Sequence, residues 1–174
     1  LAISIGTQFI ENPDTAGKQE CELNAFQPLI QKIRKSFPRL PICLLLDPLY
    51  LNQTVMDTCE KHRLEWIITF KKGSLPEAYK EFEALTDLAP ENRLCQRRKD
   101  VSRHYRWIND LQHADHTFAA FECKEEKKEQ EKPTRFLWAT SLKVDQANVE
   151  HLSQKGGRLR WKIENEGFNV QKNR

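Results

Sequence analysis

The chain has 174 residues, 39% of them apolar and 30% charged, and a net charge of +3. That length supports one domain with a sizeable core, and the charge is too small to argue for a nucleic-acid partner by itself. Five widely spaced cysteines without a CxxC pair (Cys21, Cys43, Cys59, Cys95, Cys123) argue against a zinc ribbon or a disulfide framework and for a reducing compartment.

The opening LAISIGTQFI alternates as a strand does, with Ile3, Ile5 and Phe9 toward one side. It has no basic leader, and no apolar run in the chain approaches the roughly eighteen residues of a membrane span. Because the first residue is Leu and already lies inside the strand pattern, the chain reads as a piece of a longer protein. ENPDTAGK follows as a loop. A helix then fits residues 18–37, where Ala25, Leu29, Ile33 and Phe37 recur every four positions. Pro28 predicts a kink within it and Pro38 its end.

Residues 41–47, PICLLLD, form a continuous apolar run of the kind found in a strand covered on both faces. Asn52 is an N-cap for a helix through about Arg63, with Val55, Met56 and Cys59 inward. LEWIITF, 64–70, is a second buried strand. Ser74 and Glu77 have capping-box spacing and Pro76 falls in the first turn, which predicts a helix over 75–85. Its apolar stripe is Leu75, Ala78, Tyr79, Phe82 and Leu85.

From Thr86 the texture changes. Residues 93–110, 116–123 and 134–142 read as strands rich in Arg, Phe, Trp and Thr. The charge run KEEKKEQEK, 124–132, reads as a solvated hairpin tip. Helical character returns near Gln146 and runs, with a break at Gly156–Gly157, to the end. The order predicts an α/β fold, a mixed, largely parallel sheet with flanking helices and a β-rich insertion before the last helix. The divisions fall at 1–85, 86–143 and 144–174.

Two acids stand out. Asp47 ends the 41–47 strand, and ligands of such sheets gather beyond the carboxyl ends of strands. Glu164 lies in GGRLRWKIENEGFNVQK, 156–172, one helical turn after Arg160. Each has a bland reading: Asp47-Pro48 is a common turn opener, and Arg160–Glu164 suits a surface ion pair. Trp161 and Phe168 read as packing residues, and His113 and His116 as part of a turn. Together, a strand-end Asp and a late-helix Glu suit a centre holding two divalent ions about 3.5–4 Å apart, with Mg²⁺ or Mn²⁺ on hard oxygen ligands.

At these residues the chain resembles the DDE transposases of bacterial insertion sequences, in the group whose catalytic Glu helix carries Tyr-x2-Arg-x3-Glu-x6-Lys. Arg160-x3-Glu164 matches that signature and LLLDPLY matches the second acidic strand. The resemblance spans most of the chain and implies an RNase H-like core interrupted by a β-rich insertion. It further implies Asp47 and Glu164 as catalytic metal ligands for Mg²⁺ or Mn²⁺ in a two-metal site. Arg158, Arg160, Trp161 and Lys172 are then the DNA-binding candidates. The chain departs from the signature in three ways. Gly157 stands where the Tyr should be, Lys172 is eight residues after Glu164 rather than seven, and no residue in 1–46 replaces the family's first catalytic Asp.

The resemblance therefore implies an N-terminally truncated transposase segment, catalysing DNA cleavage and strand transfer by ancestry and inactive as this chain alone. Its partners would be transposon ends and target DNA, with no membrane, in the cytoplasm or nucleoid of a bacterium or archaeon, and a homodimer on DNA is compatible. Two other readings stay open: a standalone RNase H-like nuclease, and a non-catalytic DNA-binding remnant using Arg97, Arg98, Arg103 and Arg106 from the basic stretch 93–106.

Overall fold

In a computed structural model, residues 6–9, 18–128, 130 and 132–160 are described. Helix α1 (Lys18–Ser36) contains Pro28 on its exposed side. The side turned into the core carries Phe26 and Ile30, 6% and 1% exposed. This corrects the inward stripe by one position. Leu29 and Ile33 are half-buried because the segment at Gly6 lies on them: a Cβ at Gly6 would sit 3.5 and 3.6 Å from their side chains.

Strand β1 (Cys43–Leu46) follows, then a 3-10 turn (Pro48–Tyr50), helix α2 (Gln53–Lys61) and strand β2 (Glu65–Thr69). Asn52 caps α2 as expected, its side chain accepting from the Val55 N–H at 3.1 Å. Helix α3 (Pro76–Leu88) starts where Pro76 fits a first turn, but the capping box does not form. Ser74 Oγ instead donates to the Pro48 carbonyl at 3.4 Å, tying the start of α3 to the turn after β1.

The chain then crosses to the far edge as β3 (Arg93–Arg98) and returns through β4 (Val101–His113), β5 (His116–Lys127) and β6 (Thr134–Thr140). The six strands form one sheet in the order β1-β2-β6-β5-β4-β3. Only β1–β2 is parallel; the other four pairings are antiparallel. The sheet is mixed as expected, but the expectation that it is largely parallel is corrected to a largely antiparallel one. Only α2 makes a helical crossover between neighbouring parallel strands, whereas tight turns from β3 onward enforce antiparallel return.

Helices α1, α2 and α3 all cover one face of this sheet. Beneath them lie Leu44, Leu46, Trp66, Ile68, Ile108, Leu111, Phe118, Ala120, Leu137 and Ala139. The opposite face carries Leu45, Ile67, Tyr105, Trp107, Ala119, Phe121, Cys123 and Trp138. It is covered by the segment from Leu142 through a short helix α4 (Val149–His151), a π-helical turn (Leu152–Gly156) and a 3-10 turn (Gly157–Leu159). A β-bulge between Ile108 and Leu111, with Asp110 at φ 63°, keeps Leu111 on the helix-covered face opposite Phe118. Without the extra residue, alternation would turn Leu111 to the other side. Asn109, inside the bulge, both donates to and accepts from the Val144 backbone at 2.9 Å and so pins the covering segment.

Strand β1 is only half-buried, an edge strand among the described residues rather than one covered on both sides. No described helix is long and apolar enough to cross a membrane.

Candidate functional site

Asp47 is where the sequence placed it, directly after β1 at the carboxyl end of the parallel pair. Its Oδ1 accepts from the Leu49 N–H at 2.9 Å, and its carbonyl accepts from Tyr50 N–H at 3.2 Å. One carboxylate oxygen is therefore engaged in closing the Asp-Pro turn, the structural task such a residue performs. Burial, with Asp47 and Glu22 nearby, pushes the Tyr50 hydroxyl above its ordinary pKa.

Beyond the same end of β2 the sheet has a notch. The β2–β6 ladder stops at Thr69 opposite Trp138, and Phe70 N–H makes one more bond to the Leu137 carbonyl at 2.9 Å. Residues 134–136 of β6 continue past β2. The resulting open cavity of about 670 Å³ is lined by Lys71, Lys72, Arg135, Arg158 and Arg160 and, among the described residues, by no acid. Phe70, Tyr79, Phe136 and Trp138 supply its apolar walls. A cationic cleft of this kind suits a phosphodiester backbone.

The five cations differ in freedom. Lys71 and Lys72 are exposed and make no ion pair among the described residues. Arg135 is held by Glu83 and Glu122 and donates to the Tyr79 hydroxyl at 3.0 Å. Burial works against its charge, but those two carboxylates outweigh it and hold the guanidinium above its ordinary pKa. Arg158 donates to Glu125 at 2.7 Å and stacks 4.7 Å from the Phe136 ring centre. Arg160, the last described residue, lines the cleft and is itself in contact with neighbours.

The carboxylates behind this arrangement lie on β5, in and beside the run expected to be a solvated tip. That expectation is corrected. Lys124 to Lys127 belong to β5, and Glu122 and Glu125 are 0% and 2% exposed. Glu122 faces the α3 side, where Arg106 at 3.0 Å and Arg135 meet it. Glu125 faces the other side and meets Arg103 and Arg158, each at 2.7 Å. Burial alone would raise the Glu125 carboxyl; the hydrogen bonds and charges of the two arginines prevail and hold it at about 2. Buried acids of this kind persist because every oxygen has a partner.

The same pairs decide the fate of the other basic candidates. Arg103 and Arg106 are used by Glu125 and Glu122, and Arg98 pairs with Glu150 at 3.1 Å. Of the four arginines considered for a DNA-binding remnant, Arg97 alone is exposed without an ion pair among the described residues. His116 sits at the β4–β5 turn, 2.7 Å from Asp57 and 3.5 Å from Glu60 of α2, a structural contact in keeping with the turn expected there.

Gly157, at the position of the signature Tyr, has a steric reason. A Cβ there would lie 2.3 Å from the Trp138 indole, so the backbone must pass flat against the ring. At Gly156 the nearest atom, at 2.6 Å, is the terminal methyl of Ile67. Glu164, Trp161, Phe168 and Lys172 lie outside the described residues. Lys71, Lys72, Arg135 and Phe136 were missed from sequence. Lys71-Lys72, directly after a buried strand, was a readable signal. The place of Arg135 depends on which strand neighbours β2. No protein-family model matches this chain, and no curated protein matches it.

Proposed function

We propose that the chain is a segment of a DDE-type transposase catalytic domain that holds DNA in the notch beyond β2. One observation supports this reading above the rest: the end of the sheet where Asp47 closes β1 is also the end where the cation-lined cleft opens. Arg160, four residues before Glu164 in the sequence, lines that cleft. Lys71, Lys72 and Arg160 bind backbone phosphates. Asp47 would supply one hard-oxygen ligand for Mg²⁺ or Mn²⁺ and Glu164 another; the metal's contribution would be activation of the attacking hydroxyl or water. In this reading Lys71, Lys72 and Arg160 bind and orient the DNA while Asp47 offers a single metal ligand.

The chain is expected to bind DNA in a salt-sensitive way and not to nick it. Lys71→Ala combined with Lys72→Ala should flatten the slope of log affinity against log salt by about 2. Nicking of plasmid DNA with Mg²⁺ by this chain, lost in Asp47→Ala, would overturn the expected inactivity. An extended protein that joins this chain to a strand carrying the missing first Asp should nick, and Asp47→Ala or Glu164→Ala should abolish it. Survival of nicking in either variant rules out the ligand roles. A second reading, a non-catalytic DNA-binding module, is favoured by the cleft itself, whose cations operate without metal. Binding indifferent to Mg²⁺, with no nicking by the extended protein, selects it.

A further inference from the structure

We infer that Glu125 is a positioning residue: from within the sheet it clamps Arg158 against Phe136 and fixes the turn from which Arg160 enters the cleft. The clamp is a matter of structure; its consequence for DNA rests on the reading of the cleft given above.

Three contacts converge on Arg158. Glu125 Oε2 accepts from its Nη1 at 2.7 Å and from Arg103 Nε at 2.7 Å, so two arginines from different elements share one buried oxygen. Gln154 Oε1 accepts from Arg158 at 3.3 Å, and the same amide donates to the Tyr105 hydroxyl at 3.4 Å. The Phe136 ring lies beneath the guanidinium and stacks in turn on Trp138, with centroids 5.8 Å apart and planes at 5°. Trp138 is the ring against which Gly157 passes. Gly157 and Arg158 therefore register the turn on consecutive rings of one β6 column.

The alternative role for Arg158 is direct phosphate contact. Its charge is already opposed by a carboxylate 2% exposed, and withdrawing it would leave that carboxylate with one guanidinium fewer. Arg158 Nη1 serves both Glu125 and Gln154 while the planar guanidinium lies on Phe136, a combination an ammonium reproduces poorly. Geometry and charge both favour holding the turn over meeting the ligand.

The two roles give opposite signs in Glu125→Gln. That substitution keeps the side-chain shape, removes an anion and releases Arg158. If Arg158 contacts phosphate directly, DNA binds more tightly. If Glu125 positions the turn, binding weakens, by roughly fivefold. Amide hydrogen exchange of the DNA-free protein reads the clamp by itself: exchange across residues 152–160 should rise in Glu125→Gln and in Arg158→Lys while β4 and β5 stay protected. Arg158→Lys keeps the charge and leaves Glu125 in place, so it serves if the buried substitution impairs folding. Unchanged exchange at 152–160 in both variants overturns the clamp, and tighter DNA binding by Glu125→Gln overturns its positioning role. Raised exchange in a protein whose DNA binding ignores loss of Lys71 and Lys72 retains the clamp and rejects the cleft reading instead.

Discussion

The two faces of the sheet are closed by different means. One is covered by α1, α2 and α3, whose contacts are largely aliphatic and aromatic and include Phe82 at 0% and Ile30 at 1% exposure. The other is covered by a single irregular segment that buries Val144, Val149 and Leu152 and is positioned by point contacts: Asn109 on Val144, Gly157 on Trp138, and Arg158 between Glu125 and Phe136. Burial of area is non-directional and tolerates small adjustments. Point contacts need particular atoms at particular places. The helix-covered face therefore supplies bulk stability, and the segment-covered face supplies the placement on which the cleft depends.

The sharpest way to break the contrast is in the bulk layer. Phe82→Ala should lose about 3–5 kcal/mol, read as a drop in the urea midpoint, because α3 cannot collapse far onto a flat sheet. Next is Gly157→Ala. A single added methyl against a rigid indole should destabilise by up to about 3 kcal/mol and change the tryptophan emission. Gly156→Ala should have a clearly smaller effect, since the Ile67 methyl it meets can rotate away. Equal effects at the two glycines would remove the reason given for Gly157.

The third test is pH. The Glu125 carboxyl lies at about 2 in the folded protein against an ordinary 4.5. The unfolded chain therefore takes up this proton first as pH falls. The contribution is complete above about pH 5.5 and is lost progressively between there and about 2, with an amplitude of about 3 kcal/mol. Urea midpoints at pH 5, 4 and 3 should fall less steeply in Glu125→Gln than in the wild type. Parallel curves would mean that the pair has no preference for the ionised acid. The smallest effect belongs to Arg98→Ala: its pair with Glu150 is exposed at the arginine, and loss should stay under about 1 kcal/mol.

Much of the helix-covered face was legible in the residues. Asn52 capped α2, Val55, Met56 and Cys59 turned inward, and the stripe from Leu75 to Leu85 packed as its spacing indicated. Periodicity reports such burial directly, because it depends on one element alone. The one-position error in α1 arose because two apolar sets share that helix, and a second segment covers one of them. Glu125 was illegible for another reason. Within KEEKKEQEK nothing local separates a solvated acid from one enclosed by Arg103 and Arg158, which come from positions far apart in the chain.

The candidate site divides in the same way. Asp47 at the end of an apolar run, and Arg160 ahead of Glu164, are statements about short stretches of chain, and the amino-acid sequence alone determined them. That β6 neighbours β2, outruns it and so opens a notch carrying Lys71, Lys72 and Arg135 was decided by tertiary structure. Strand neighbours are chosen by the burial of whole faces and by the direction in which hairpins return, and no local pattern of residues encodes that choice.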